Sequence, residues 1–301
     1  MSRLSGVFPS LVTVCDDSGD LDEEGERAVV RFCIEKGANG IACLLFAGEF
    51  YKFSDAERRR IAEIVIDEAN GKVPVLVGTS HAGTKPCIEL SKHAQDAGAD
   101  GVIITPPYHS AFVIESSLAL NRHFEQISRN IDIPIMIQDR ETLTGVHMCA
   151  SDLVSVMTRC SNIQSVKIEG IGHLRKIADI LRLANRKLPI FGGMAGRYFL
   201  EELDLGVAGT IPGAAIPEAT VHVYKEFIKG NRELATATFN KFLAYLNFFV
   251  LNTLAFVAVE KEALKARGII RSSNVREPAV FLKRADIEEL TSVLRKIEVI
   301  S

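Results

Sequence analysis

The chain has 301 residues, of which 47% are hydrophobic and 24% charged, and its formal net charge is −3. A sequence of this length and hydrophobicity can bury a substantial core, as one large domain or two small ones. Acidic and basic residues are interspersed, which excludes a basic stripe for nucleic acid and a polybasic cluster for a membrane surface, so the expected partner is a small molecule.

No targeting or membrane segment is predicted. The N-terminal residues lack the apolar region of a signal peptide, and no 18-residue apolar stretch is free of interruption. The segment 242–259 comes closest, but Asn247, Asn252 and Thr253 interrupt it. We therefore expect a cytoplasmic protein.

The cysteines are predicted to be reduced core residues, because they lie far apart, without a C-x-x-C pair, and mostly inside apolar segments. They are Cys15, Cys33, Cys43, Cys87, Cys149 and Cys160. No cluster of histidine, cysteine and carboxylate side chains has the spacing of metal ligands, so no metal is expected.

Short apolar runs rich in valine and isoleucine alternate with segments of helical periodicity along most of the chain. The predicted strands are 6–14, 40–46, 73–79, 101–106, 133–138, 163–168, 188–193 and 207–213, and helices between them include 22–36, 54–69, 84–97 and 115–129. The second of these helices opens with a capping-box pattern from Ser54 to Glu57. Eight strand and helix units predict a (β/α)8 barrel; a doubly wound sheet is the rival, but no G-x-G-x-x-G follows the first strand.

The strand pattern stops near residue 230. The rest predicts helices at 231–250, 253–266 and 286–297, with a loop from Asn274 to Pro278. We therefore divide the chain into a barrel, residues 1–230, and a C-terminal helical region, residues 231–301.

Barrel enzymes place their chemistry where strands end, so the residues at the carboxyl ends of the predicted strands are the candidates for a site. These are Ser10, Thr13, Ala47, Gly48, Glu49, Thr79, Ser80, His81, Tyr108, His109, Gln138, Asp139, Lys167, Glu169, Gly192, Gly193 and 211–213.

Lys167 is the most informative of them. It lies between Val166 and Ile168, whose side chains should face the helices, so the lysine should face the barrel interior. Burial there lowers the pKa of an ammonium group and favours the neutral amine, which can attack a ketone and form a Schiff base. A lysine paired with a buried carboxylate, such as Glu169, is the structural alternative.

The sequence also resembles the dihydrodipicolinate synthase and N-acetylneuraminate lyase family, which are class I aldolases of the pyruvate type with a (β/α)8 barrel. The matching stretches are GVFPSLVTV, AGEF with SDAER, HAQDAGADGVIITPPY, IPIMIQ with TGV, SVKIEG, LGVAGTIPGAA and KEALKARGI. The resemblance implies that Lys167 is the Schiff-base lysine, that no separate cofactor is needed, and that the protein is a homo-oligomer, either a dimer or a tetramer.

The chain departs from the family's proton relay, a threonine and two tyrosines of which one comes from a neighbouring subunit. Phe46 and Ala47 stand at the threonine positions, and Gln138 stands at the position of the fifth-strand tyrosine. In the PPYH stretch, Tyr108 matches the family's first tyrosine, and His109 stands at the position of the second. The arginine that grips a second carboxylate in the synthases matches Leu143. Dihydrodipicolinate synthesis is therefore not expected.

The motifs PPYH, IQD and KIE resemble the 2-keto-3-deoxy-L-arabonate dehydratase branch of the family, although the strand-two loop and GGMAG differ from it. The favoured hypothesis is a Schiff-base dehydratase of a 2-keto-3-deoxy sugar acid. The alternatives are a retro-aldol lyase that releases pyruvate from a 2-keto-4-hydroxy acid, a non-catalytic ketoacid-binding protein, and a deaminase of a cyclic imine acid.

We assign Lys167, Gln138 and His109 as catalytic candidates. The substrate-binding candidates are Ala47, Gly48, Glu49, His81, Tyr108, Glu169, Gly192 and Ile211. Each has a structural alternative: Gln138 and Glu49 as partners of backbone groups, His81 and His109 as loop residues, Tyr108 as a subunit contact, and Glu169 as a counter-ion of Lys167.

Overall fold

The computed structural model describes residues 4–108, 117–185, 188–251 and 255–301. Within them, eight parallel strands form one sheet in the order β1-β8-β7-β6-β5-β4-β3-β2. The strands are β1 Gly6–Val7, β2 Ile41–Cys43, β3 Val75–Gly78, β4 Gly101–Ile104, β5 Ile135–Asp139, β6 Ile163–Ile168, β7 Ile190–Gly192 and β8 Gly209–Thr210. Ser10 forms parallel bridges with both Ala42 and Gly213, which closes the sheet on itself. The predicted (β/α)8 barrel is confirmed.

Helices follow the strands in the described part of the chain. They are α1 Glu23–Glu35, α2 Asp55–Ala69, α3 Thr84–Asp96, α4 Ser117–Ser128, α5 Glu141–Thr144, α6 Ala150–Arg159, α7 His173–Leu183, α8 Phe199–Leu205, α9 Pro217–Ile228, α10 Arg232–Leu251, α11 Phe256–Ala266 and α12 Arg284–Lys296. The capping box of α2 is confirmed, because the Ser54 side chain accepts from the Glu57 N–H while the Glu57 carboxylate accepts from the Ser54 N–H.

All eight predicted strands are present, but the first and last are shorter than their apolar runs. Pro9 interrupts β1, and Pro212 follows β8 closely. Because proline has no N–H to donate, Pro9 takes part only as an acceptor, from the Ala42 N–H. Beyond it, Ser10 forms the isolated bridges and its N–H donates to the Pro212 carbonyl.

The core has two parts, as the alternation of strand side chains requires. Side chains that face inward fill the barrel: Phe8, Ala42, Leu45, Leu76, Ile103, Met136, Phe191 and Ile211. The larger cluster lies between the strands and the helices and includes Val166 and Ile168 of β6 with Ile177 of α7.

The C-terminal helices pack on the barrel through buried polar contacts as well as apolar ones. Lys261 of α11 donates to the Glu49 carboxylate, 2.9 Å away, in the loop after β2. In the described residues, no helix combines the length and the hydrophobicity required to cross a membrane. The division into a barrel and a helical region at residue 230 stays a prediction.

Candidate active site

Lys167 lies near the carboxyl end of β6, in register with Gln138 of β5 and Phe191 of β7. Its neighbours Val166 and Ile168 pack in the outer cluster, whereas Lys167 is 4% exposed and its side chain faces the interior. The predicted inward orientation of Lys167 is therefore confirmed. Met136 and Phe191 of the neighbouring strands belong to the apolar cluster inside the barrel.

Glu169 brings three of the predicted residues together. Because it lies two positions after Lys167, its side chain faces the same way, and its Oε2 is 2.8 Å from Lys167 Nζ. The same oxygen accepts a hydrogen bond of 2.7 Å from Nε2 of Gln138. Oε1 accepts from the N–H of Met194, 3.0 Å away. The carboxylate is thus fixed beside the amine by a side-chain amide and a backbone N–H.

The electrostatics of this pair favour a reactive amine next to an ionised carboxylate. Burial lowers the pKa of Lys167, and the adjacent Glu169 opposes that effect. For Glu169, burial alone would raise the pKa, but Lys167 and Arg140 outweigh it and lower the pKa to about 2. Glu169 is therefore ionised at neutral pH, and the lysine is easier to deprotonate than one in water.

Arg140 is a site residue that the sequence reasoning missed. It follows Gln138 and Asp139 directly, and its Nη1 is 3.7 Å from Oε1 of Glu169. The resemblance directed attention to Leu143, which is 44% exposed. The available signal was the position of Arg140, one residue beyond the strand end.

A turn after β7 forms the wall beside Glu169. Met194 and Ala195 have positive φ values of 51° and 61°. A Cβ at Gly193 would lie 2.4 Å from Oε1 of Glu169, so only glycine permits this close approach. Non-glycine residues in the left-handed region persist where surrounding contacts hold them in place.

A second buried acid, Glu202 of α8, lies on the other side of the same wall. A Cβ at Gly192 would lie 1.7 Å from its Oε2, and His173 Nε2 is 3.2 Å from its Oε1. The His173 Nδ1 is 3.0 Å from the carbonyl oxygen of Gly170, the residue after Glu169. Burial raises the pKa of Glu202, opposed by His173 and the Gly193 N–H.

The polar groups of the loop after β2 are engaged by partners other than Lys167. The Glu49 carboxylate is fully buried and bonds to Lys52 at 2.6 Å and Lys261 at 2.9 Å. The Gly48 carbonyl accepts from Thr13, and Ala47 is buried. Substrate contacts by Ala47, Gly48 and Glu49 stay predictions.

The remaining candidates are spread around the barrel mouth. Tyr108 is half-buried, with its ring 5.7 Å from that of Phe50. His81 is half-buried and its Nδ1 accepts from the Gly83 N–H, which leaves Nε2 to carry the proton of the neutral ring. Their substrate roles stay predictions. His109 lies outside the described residues.

Gly192 and Ile211 do not present side chains to Lys167. The hydrogen of Gly192 faces Glu202 rather than Glu169, and Ile211 belongs to the apolar filling of the barrel. Their substrate roles stay predictions. Gly193, the neighbour of Gly192, is the glycine that lies against the site.

Known proteins resemble the chain over nearly its whole length. YagE of Escherichia coli K12, provisionally named a 2-dehydro-3-deoxy-D-gluconate aldolase, is 31% identical over 98% of this chain and 97% of its own. The L-2-keto-3-deoxyarabonate dehydratase of Azospirillum brasilense is 27% identical over 98% of this chain and 95% of its own.

The fold agrees with this similarity. The crystal structure of YagE in complex with pyruvate superposes with a TM-score of 0.91 at 30% identity, covering 98% of this chain and 99% of that one. The sequence model that describes the dihydrodipicolinate synthetase family matches residues 3–297 of the chain. The chain belongs to the dihydrodipicolinate synthetase family.

Proposed function

We propose that the protein is a lyase that forms a Schiff base between Lys167 and the C2 ketone of a 2-keto acid. The observation that carries the proposal is the buried contact of 2.8 Å between Lys167 Nζ and the Glu169 carboxylate. It places an amine of lowered pKa and an ionised base side by side.

The first step is imine formation. The neutral amine of Lys167 attacks C2, a C–N bond forms, and the ketone oxygen leaves as water. The protonated imine withdraws electrons from the adjacent carbon, C3, and therefore makes the hydrogens on C3 more acidic. Because C3 is two bonds from Nζ, a base that contacts Nζ is also near C3.

The second step is proton removal by Glu169. Its carboxylate takes a C3 proton, the C–H electrons form the C2=C3 double bond, and the imine electrons move to nitrogen. The resulting enamine expels the C4 hydroxyl, which leaves with a proton as water. Hydrolysis of the imine after tautomerisation releases the product and restores the amine.

The charges around Lys167 suit a substrate with one carboxylate. Once the imine is formed and protonated, Lys167 and Arg140 carry positive charge, Glu169 carries negative charge, and Asp139 is paired with Lys176. One substrate carboxylate therefore balances the charge of these groups. A 2-keto-3-deoxy sugar acid has one carboxylate and hydroxyl groups that Arg140 can bind.

Dehydration is favoured over carbon–carbon cleavage because of Gln138. Its amide donates to Glu169 and cannot accept and return a proton as a tyrosine relay would. The similarity to the dehydratase of Azospirillum brasilense supports this choice.

Retro-aldol cleavage is the second candidate. It requires a base for the C4 hydroxyl, and Glu169 is the nearest ionised carboxylate to Lys167 in the described part of the site. The aldolase name of YagE favours it.

A single substrate separates the two reactions. With a 2-keto-3-deoxypentonate, we expect 2-ketoglutarate semialdehyde and no pyruvate, whereas cleavage gives pyruvate and glycolaldehyde in equal amounts. Products are identified by mass spectrometry. In parallel, borohydride with pyruvate should label Lys167 in the native protein and leave K167A unlabelled.

Three results would contradict parts of the proposal. Stoichiometric pyruvate from the pentonate would replace dehydration with cleavage and leave the imine intact. A label on another lysine would overturn the role of Lys167, and an imine without any product would favour a ketoacid-binding protein.

We also propose that the protein assembles as a homo-oligomer, as the family resemblance implies. Measurement of the native mass in solution tests this. A mass near 33.0 kDa, that of one chain, would contradict it.

A further inference from the structure

A closed set of contacts connects Glu169 to the buried pair Glu202 and His173 through the barrel wall. On the inner side, Glu169 accepts from the Met194 N–H. On the outer side, the Glu202 carboxylate occupies the space where a side chain of Gly192 would be, and it interacts with the N–H of Gly193. Consecutive residues of one turn therefore contact both acids.

The second connection runs through His173. Its Nδ1 faces the Gly170 carbonyl, which can only accept, so Nδ1 carries a proton and donates it. Nε2 faces Glu202 at 3.2 Å. Both side chains are buried, so this contact of nitrogen and carboxylate is shielded from solvent.

The backbone between these contacts needs support. Gly170, Gly172, Met194 and Ala195 all have positive φ values, and the last two are not glycine. Such conformations cost on the order of 1–3 kcal/mol each at non-glycine residues and persist only when neighbouring groups hold them. His173 contacts the glycine-containing loop at Gly170, and Glu202 lies against Gly192, just before the strained turn.

We propose that Glu202 and His173 are positioning residues that hold the Glu169 carboxylate against the imine of Lys167. This inference rests on the proposed role of Glu169 as the base at C3. Neither residue touches Lys167 itself. They act by fixing the Gly170 carbonyl and the Gly193–Met194 turn on either side of Glu169.

Exchange of the methyl protons of pyruvate in D2O isolates this step from the natural substrate. Imine formation needs only Lys167, whereas exchange needs the base to remove a C3 proton. The native protein should form an imine that borohydride traps, and it should exchange the methyl protons of pyruvate. Proton NMR measures the rate of this exchange.

E202Q keeps the size of the side chain and removes the carboxyl group that faces His173. We expect a trapped imine at a similar half-saturating pyruvate concentration, with exchange slowed by about 10- to 100-fold, because displacements near 1 Å have effects of that size. H173N can still donate to the Gly170 carbonyl but loses the contact with Glu202. We again expect imine formation to be retained and exchange to be slowed. The double variant should be no slower than the slower single variant.

E26Q is the matched control, since Glu26 is also fully buried and accepts from a backbone N–H, that of Val14. It should retain both imine formation and exchange. Thermal unfolding of each variant checks that it is folded, and H173N decides the question if E202Q does not fold.

Equal exchange rates in native protein, E202Q and H173N, with the imine present in all, would overturn this inference alone. Equal losses of imine and exchange in the variants would also overturn it, because they would indicate a general structural role. Absence of the imine from the native protein would overturn the proposed function and this inference with it.

Discussion

At the scale of single residues, one carboxylate determines what Lys167 can do. Burial favours the neutral amine, which reacts, while the Glu169 charge favours the ammonium ion. The same carboxylate is the base that the next step requires. Glu169 thus restrains the nucleophile before the substrate binds and acts on C3 after the imine has formed.

E169Q separates these two effects. Removing the charge leaves burial to lower the pKa of Lys167 further, so the pH midpoint for borohydride trapping of pyruvate should move to lower pH. Exchange of the pyruvate methyl protons should fall by about 10²- to 10⁴-fold, the usual contribution of a general base. Trapping and NMR across pH 5–9 measure both.

E141Q is the control for E169Q, because Glu141 is an exposed acid near the barrel mouth that pairs with His147. E141Q should change neither the pH midpoint of borohydride trapping nor the rate of proton exchange. A midpoint that moves to higher pH in E169Q would refute the effect of the Glu169 charge on Lys167, and exchange at the native rate would refute its role as the base.

At the scale of secondary-structure elements, the site depends on where strands end and on which groups approach their backbone. β6 supplies Lys167, and the loop after it supplies Glu169. The turn after β7 contacts acids on both sides. Gly192 and Gly193 make this possible because they have no side chains. Gly192 leaves space for Glu202, and Gly193 leaves space for Glu169.

G193A should damage the site more than the fold. The added Cβ would meet the Glu169 carboxylate at 2.4 Å, and the carboxylate would have to move away from Lys167. We expect exchange of the pyruvate protons to fall about 100-fold. NMR measures the rate, and urea unfolding measures the stability.

G71A is the control for G193A. Gly71 has a φ of 69°, and a Cβ there would have no neighbour within 4 Å, so the change strains the backbone without touching the site. It should lower stability by about 1 kcal/mol and leave exchange unchanged. Exchange in G193A at the rate of G71A would refute the close approach as the reason for glycine.

The same elements show what a sequence can predict. Alternation along β6 predicted an inward Lys167, because its neighbours are apolar and the period of a strand is two residues. The contact of His173 with Glu202 joins separate helices, and no local pattern encodes it. The glycine pair at the end of the predicted strand 188–193 was the one local sign that other groups approach closely there.

Arg140 shows the limit of reasoning from resemblance. The matched position of the family's arginine is Leu143, so no arginine was predicted for the site. The structure brings Arg140 to Glu169 from a position three residues earlier. The matched position therefore did not identify the guanidinium group that lies near Glu169, because a long side chain reaches several angstroms beyond its own backbone.

At the scale of the whole molecule, buried ion pairs connect the barrel to the C-terminal helices. Glu49 and Lys261 are both fully buried and lie 2.9 Å apart, and Lys261 also donates to the Asn274 carbonyl. Lys52 donates to Glu49 and to the Arg276 carbonyl. The loop after β2 is thereby attached to α11 and to the loop that follows it.

K261M should destabilise the whole chain. It leaves the buried Glu49 with one cation instead of two and removes the donor from the Asn274 carbonyl. We expect the free energy of unfolding in urea to fall by about 3 kcal/mol. K265M, at an exposed position of the same helix, should change it by less than about 0.5 kcal/mol.

The double variant E49Q/K261M tests whether the pair explains the effect. Its loss in the free energy of unfolding should be smaller than the sum of the losses in E49Q and K261M, because neither charge remains buried without the other. Strict additivity would show that the two side chains act independently.

Glu26 gives the whole molecule a dependence of stability on pH. It is fully buried in α1, its Oε2 accepts from the Val14 N–H, and its Oε1 has no partner within the described structure. Burial raises the pKa of Glu26 from 4.5 to about 7. The folded protein therefore retains a proton between these values that the unfolded chain has released.

The sign of the effect follows from linkage. Where the folded state binds more protons, the free energy of unfolding falls as pH rises, so the contribution of Glu26 is complete below pH 4.5 and lost above about pH 7. The loss is on the order of 3 kcal/mol. E26Q is neutral at every pH, so its stability relative to native protein should rise between pH 5 and 8, as measured by urea unfolding. E35Q, an exposed position on the same helix, should show a constant difference, and a constant difference in E26Q as well would refute the raised pKa.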